Sequence, residues 1–343
     1  MQKASRIVTL DFLRLLGVLV IMVAHAGPPF WLSQLRNFGT PLLIVASALT
    51  YRAIYQTRPL PALPFYKKRL MKLLLPVWGF LLIFFPLIAL AFHLRGEPFP
   101  FPPEKVWKSF LLFDGINFVW IFHVYLVLAL FTPVVLWANK LPVRNAVYFS
   151  SLAILYLGYE LMLGRVLPTI PKPDKLFYNF IVFAPLVYLL LYLYGVRLAT
   201  VSNRMLLVIS GISLVVFAYL AVGLYQEKGT FVPTQKFKYP PRLYYLSYAF
   251  FALHLIYLWT RNIKAFRPRF EAAIIWLSSN SLWVYLWHIL AWYLWPDFKV
   301  PPASFPIFLL KLVYLFSFGI AMTAGQNWLV AKIRQRRQGR SHS

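Results

Sequence analysis

Apolar residues run along the chain in stretches of about 20, each bordered by charged, Pro-rich or Gly-containing segments. A run of that length crosses a ~30 Å hydrocarbon core as an α-helix. Ten such runs stand at 8–27, 38–56, 73–93, 112–137, 146–163, 177–196, 205–225, 243–260, 272–295 and 306–330, and most connections between them are short. Proline gathers at their borders, in Gly27-Pro28-Pro29, Pro98 to Pro103, Pro240-Pro241 and Pro301-Pro302, where it ends helices. The pattern predicts an all-α polytopic bundle of ten transmembrane helices. It forms one membrane domain over 1–331, followed by a basic tail at 332–343, with no internal repeat and no soluble appendage.

Composition agrees. Of 343 residues, 60% are hydrophobic and 13% charged, against roughly 45–50% and 25% in soluble domains, so polar surface is too scarce for a water-facing fold. Cysteine is absent, which excludes disulfides, thiolate catalysis, iron–sulfur clusters and zinc–cysteine sites. The formal charge of +26 would suggest nucleic acid in a soluble protein, but here the basic residues lie between apolar runs. The positive-inside rule and anionic lipid headgroups account for them without nucleic acid. Sorting the 35 basic residues into alternating compartments puts 21 on the side of the termini and 12 opposite, leaving Arg14 and Lys311 inside spans. Both termini are therefore expected in the cytoplasm, the chain being multi-pass in the cytoplasmic (inner) membrane with lipids as partners. Lys3, Arg6 and Ala24-His25-Ala26 imitate a secretory signal, but Asp11 and Arg14 interrupt its apolar stretch, so the first run is expected to be retained as a span.

Ionisable groups inside spans cost several kcal/mol unless paired or solvated, which makes them functional candidates. Asp11 and Arg14, three apart, share a helix face. His25 follows Arg14 by eleven residues, ~16 Å along the axis on nearly the same face. Spacing alone fits equally a functional stripe or an inter-helix ion pair with a headgroup-level histidine. Lys67, Lys68, Arg69 and Lys72 offer cations for phosphates or simply hold topology. Ser281, Tyr285 and His288 fall at i, i+4 and i+7, one face that could line a cavity or bridge helices. His123 could meet an acceptor or a neighbouring helix, whereas His93 and His254 fit ordinary polar contacts. The segment from Gln226 to Arg242, with Lys236, Lys238, Tyr239 and Arg242, could face an anionic or sugar-like ligand, though a solvated loop is the simpler reading. Trp31, Trp107, Trp137 and Trp295 sit near span ends as interfacial anchors. No His-x-x-x-His, Glu-x-x-His, Walker loop, dinucleotide fingerprint or Gly-x-Ser-x-Gly occurs, so metal chemistry and nucleotide hydrolysis have no sequence support.

Several of these stretches, taken in order, resemble the membrane acyltransferase-3 family. Leu10-Asp11-Phe12-Leu13-Arg14 followed by Val23-Ala24-His25 is similar to the family's first helix, an Arg, ten residues and a His. Asn37 to Leu43 and Ala46-Ser47-Ala48-Leu49 resemble its second-helix segment, without the usual Gly and Phe after Ser. Lys67-Lys68-Arg69-Leu70-Met71-Lys72 resembles its basic Arg-x-x-Arg segment, with Lys72 in place of the second Arg. Val119-Trp120-Ile121-Phe122 and Ser281 through Tyr285-Leu286-Trp287-His288 resemble later stretches.

The resemblance implies an integral membrane O-acyltransferase, moving an acyl group, acetyl by default, from acetyl-CoA or another acyl-CoA to a hydroxyl of an extracytoplasmic carbohydrate or glycolipid. It implies a catalytic group of His25, Arg14 and Asp11, in which His25 is the base and Arg14 either stabilises the negative charge that develops on the acyl carbonyl, positions the donor or braces Asp11. Lys68, Arg69 and Lys72 would bind the donor, and Ser47, Trp120, His123, Ser281, Tyr285 and His288 would line the acceptor cavity. Imidazole, with an unperturbed pKa of ~6.5, suits proton removal from a sugar hydroxyl. A transporter or lipid-linked sugar flippase is the rival, since many spans with buried charge also suit translocation. It would normally show paired repeats and coupling carboxylates, and here Asp11 is the main buried acid, Asp114 and Glu160 standing near span ends.

Overall fold

The computed structural model describes residues 7–113, 115–116, 118–171, 175, 177–263, 265–295 and 304–340. Of the residues named above, Lys3, Arg6, Asp114 and Pro301-Pro302 lie outside them.

The described residues form helices joined by turns and short connections, with no strand among them. In chain order the helices are α1 (Val8–His25), a short α2 (Phe30–Leu35), α3 (Gly39–Tyr55), α4 (Ala62–Leu94), a short α5 (Pro103–Phe110), α6 (Trp120–Asn139), α7 (Asn145–Val166), α8 (Ala184–Leu198), α9 (Asn203–Lys228), α10 (Leu243–Arg261), α11 (Pro268–Ser279), α12 (Ser281–Leu294) and α13 (Phe305–Arg340). A π-helical turn, Asn179–Phe183, leads into α8. Eight helical stretches are long and apolar enough to cross a membrane, and α11 with α12 makes a ninth when taken as one bent span. The remaining apolar run is α3, 17 residues long and buried along most of its length. All ten runs are thus helical, in an all-α polytopic membrane protein.

Helices α1, α3 and α8 form the centre, and close approach between them depends on glycine. A Cβ on Gly17 would stand 3.1 Å from Leu43 Cβ, and one on Gly195 would stand 2.9 Å from Ala48 Cβ and 3.0 Å from Val45 Cα. These positions let α1 and α8 lie backbone to backbone against α3, as small residues do where lipid supplies no hydrophobic drive between helices. Outer helices turn apolar side chains outward instead, as with Val215 and Tyr219 on α9 or Leu310 and Val313 on α13, all more than half exposed.

Three features depart from the sequence expectations. The run expected at 112–137 becomes helical only at Trp120, and residues before it form turns preceded by α5. The run expected at 272–295 breaks at Asn280, where α11 and α12 meet at 71°. Ser278-Ser279-Asn280-Ser281 supplies the reason, because Asn280 Nδ2 donates to Trp276 O at 2.8 Å and its Oδ1 accepts from Asn327 Nδ2 of α13 at 2.8 Å. A break inside a membrane bundle is tolerated where side chains satisfy the freed backbone in this way. Finally, 226–242 is only partly a solvated loop, being exposed over 226–231 and folded inward beyond it. Thr234 and Lys238 are buried, with Thr234 tied to Gln34 and Asn37.

Helix α4 has 33 residues, about 50 Å of helix, more than the ~30 Å hydrocarbon thickness. Its basic first turns, holding Lys67 to Lys72, can therefore stand at the membrane boundary. Counted as ten crossings, the apolar runs put both termini on one side, which the 21-to-12 distribution of basic residues predicts to be cytoplasmic. Reporter fusions after Gly229 and at the C-terminus are expected to report outside and inside respectively, and an external C-terminus would reverse the topology.

Candidate active site

His25 is the last residue of α1, followed by Ala26 and then Gly27 at φ +75°, which with Pro28-Pro29 turns the chain away. The bend at Asn280 redirects α12 so that His288 reaches it. His25 Nδ1 and His288 Nε2 are 2.7 Å apart, and the ring planes are within 2° of parallel with centroids 5.0 Å apart, an edge-to-edge placement suited to an in-plane lone pair. The other nitrogen of His288 meets the Tyr285 carbonyl oxygen within its own helix.

That contact fixes the protons by elimination. A carbonyl oxygen only accepts, so His288 Nδ1 carries hydrogen and, in the neutral ring, Nε2 accepts. His25 Nδ1 then donates to it, leaving His25 Nε2 as an unprotonated lone pair. The ring is held besides by Phe118, edge-on at 4.6 Å, while Trp292 Nε1 donates to the His25 carbonyl at 2.9 Å. Tyr285 OH donates to Phe118 O at 3.2 Å, locking the turn before α6 onto α12.

His25 lines a cavity of about 420 Å3 whose wall includes Phe118, Trp120, Phe177, Phe180, Tyr239 and Trp292. Trp120, Phe180 and Tyr239 pack together, with Trp120 edge-on to Tyr239 at 5.2 Å. The Lys238 ammonium, 5.2 Å from the Tyr239 ring centre, is held down to about pKa 7 by burial and by the charge of Arg36. Burial also lowers the pKa of Arg36.

The residues expected at the site separate into groups. His25, Tyr285 and His288 come together, and Trp120 lines the same cavity. Ser281 opens α12 two turns away, and His123 packs on Phe113 with Nε2 buried and unpartnered. Asp11 and Arg14 lie at the far end of α1. Asp11 accepts from Ser278 Oγ at 2.8 Å and stands 3.6 Å from Arg14, which donates to Thr50 Oγ1 at 3.0 Å. They brace α1 against α11 and α3 rather than touching His25.

Between these ends, Ser47 Oγ pairs with Tyr125 OH at 3.4 Å, within electrostatic reach of Arg14 and Arg69. Arg69 points inward, its guanidinium 4.6 Å from the Tyr51 ring centre and its Nε without a partner, whereas Lys68 and Lys72 are exposed. His254 belongs to no site, being satisfied by Tyr194 OH at 2.5 Å and Phe250 O at 2.6 Å.

The acyltransferase domain family matches residues 7–325, nearly the whole chain and all of these groups. The chain belongs to the acyltransferase-3 family. No curated protein and no solved structure matches it significantly. Membership in this family supports a membrane acyltransferase over a transporter.

Sequence reading missed Phe118, Phe180, Trp292 and Arg36, since they come from separate connections that only folding brings together, and it offered Tyr239 as ligand-facing only as the less simple reading of its segment. The polar interruption at Asn280 was the readable sign that α12 would be redirected. For this acyltransferase, His288→Phe keeps the ring volume but removes the acceptor for His25 Nδ1–H, and transfer is expected to fall by about 10–100-fold. His288→Gln, whose amide oxygen can accept the same hydrogen, should recover part of that loss. Turnover of a labelled acyl thioester measures both, and equal activity of His288→Phe and the native enzyme would remove the tautomer constraint.

Proposed function

We propose that this acyltransferase moves an acyl group, acetyl by default, from a coenzyme A thioester on the cytoplasmic side to a hydroxyl of a cell-surface carbohydrate or glycolipid outside the cytoplasmic membrane. The observation that carries this reading is the His25–His288 pair, with a free imidazole nitrogen on the wall of an aromatic cavity. His25 Nε2 takes the acceptor hydroxyl's proton as its oxygen attacks the thioester carbonyl carbon. The tetrahedral intermediate expels the sulfur, the carbon–sulfur bond breaks, and the proton returns from His25 to the leaving thiolate. An ester and free coenzyme A thiol result.

His288 acts as the positioning residue, holding the imidazole in the tautomer that accepts at Nε2. A carbohydrate acceptor is supported by Trp120, Phe180 and Tyr239, whose ring faces offer apolar surface to the C–H faces of a sugar. The donor assignment is supported by Arg69, inward-facing and incompletely partnered, beside exposed Lys68 and Lys72 at the start of α4. Lys72 cannot form the bidentate fork of an arginine, so it supplies charge rather than a fixed grip on phosphate. Arg14 and Asp11, bonded to Thr50 and Ser278, keep α1 in register and carry no proton in this scheme.

His25→Ala should insert and retain donor binding while transfer falls by about 10²–10⁴-fold, the usual worth of a general base. Near-normal transfer at saturating donor and acceptor would remove His25 from the mechanism. Replacing Arg69 and Lys72 together by Ala should weaken acyl-CoA binding, and the native protein's affinity should drop as salt rises because charge pairing is screened. Unchanged affinity in the double variant would return both residues to topology and lipid contact.

A further inference from the structure

Arg36 and Lys238 are the basic residues that the fold leaves least answered beside the cavity. Elsewhere, several cations drawn into the bundle find oxygen partners. Arg242 pairs with Glu160, Arg197 donates to Val143 O, Arg52 to Val196 O and Arg261 to Val201 O. Lys238 is 7% exposed, and its ammonium lies 5.2 Å from the centre of the neighbouring Tyr239 ring. Arg36 donates to Ser33 Oγ at 3.2 Å, while its Nε is buried and unpartnered. Neither meets a carboxylate among the described residues.

The two cations also repel each other, since each lies within electrostatic reach of the other and of His25. The fold nonetheless ties their segments together. Asn37 Nδ2 donates to Thr234 Oγ1 at 2.8 Å, Thr234 N donates to Gln34 Oε1 at 3.1 Å, and Tyr248 OH donates to Leu35 O at 2.7 Å. Burying like charges side by side is unfavourable unless an opposite charge joins them. The place where one could join is set by Tyr239, which adjoins Arg36 and Lys238 and also lines the His25 cavity. Tyr245, whose buried hydroxyl faces that of Tyr188, offers a further donor on the Arg36 side.

We propose that the acceptor is acidic, its carboxylate or phosphate held by Arg36 and Lys238 while a neighbouring hydroxyl meets His25 Nε2. This rests on the acyl-transfer reading above and narrows its acceptor class from carbohydrate to anionic carbohydrate. Arg36 can grip such a group through paired N–H donors, and Lys238 adds a compact positive charge. Because the anion sits at the cavity wall rather than at the reacting carbon, it fixes which hydroxyl is presented.

The test uses the purified full-length protein in nanodiscs with three acceptors, methyl glucoside, methyl glucuronoside and methyl glucoside 6-phosphate. The native enzyme should prefer at least one acidic acceptor in kcat/KM. Arg36→Gln and Lys238→Met should each lower the acidic-to-neutral ratio by about ten-fold or more, the worth of one charge-assisted hydrogen bond, through KM rather than kcat. An unchanged ratio in both variants would overturn the proposal. If the native enzyme acylates none of the three, the acyl-transfer reading with these acceptors fails. Calorimetric binding of the two acids then decides the anion site by itself, with loss of binding in the variants supporting it and equal binding overturning it. Repeating the kinetics in neutral and phosphatidylglycerol nanodiscs separates a lipid headgroup from an acceptor. Variants that lose tightly bound phosphatidylglycerol by native mass spectrometry while keeping the native ratio would assign the pair to lipid and overturn the proposal.

Discussion

A polar group inside a membrane bundle has no water to fall back on, so its partners must come from the protein, and this requirement shapes the molecule. It explains why α11 and α12 can bend by 71° at Asn280, because the Asn280 amide takes up both Trp276 O and Asn327 Nδ2. The bend brings His288 to His25. The same requirement sets the direction of the hydrogen-bond relay, since the Tyr285 carbonyl can only accept. A backbone oxygen thereby determines which nitrogen of a side chain on another helix is left basic, with no carboxylate in the chain of contacts.

The first helix carries two separate polar arrangements. At one end Asp11 and Arg14 tie α1 to Ser278 and Thr50, and at the other His25 meets His288. His25 follows Arg14 by eleven positions, about 16 Å along α1. The interior polar contacts of Ser47 with Tyr125 and of Arg69 with Tyr51 fall between them in the bundle. A donor entering from the Arg69 side would pass these groups before its thioester reached His25, which suits an enzyme whose two substrates approach from opposite faces. Gly17 and Gly195 hold α1 and α8 close against α3.

Much of the architecture was legible because a transmembrane helix needs one property, apolar length, and that property is local in sequence. The runs at 8–27 and 243–260 became α1 and α10 with small differences at their ends. The break at Asn280 and the late start of α6 at Trp120 were not legible from apolar length, since each depends on partners distant in the chain. The site divides the same way. His25 and His288 stood out because histidine is costly in a span, and an ordered resemblance gave them context. Their pairing across 263 positions has no signal in a single sequence. Arg36 was counted only as an external charge, and nothing local distinguishes it from a solvated arginine.

Lys238 shows how far such misreading can go, because the segment around it looks like a polar loop and is folded as part of the bundle. Its neighbours Thr234 and Tyr239 are held by Gln34 and Asn37 on one side and by Trp120 and Phe180 on the other. The segment therefore closes one wall of the His25 cavity while carrying its charge inward. Had selection acted on stability alone, an apolar residue at Lys238 would serve better, since it would remove both the desolvation of an ammonium and its repulsion by Arg36. Retaining two such cations beside a neutral imidazole has a chemical consequence. In the proposed reaction they favour the negative charge that gathers when a base activates a hydroxyl and an oxyanion forms beside it.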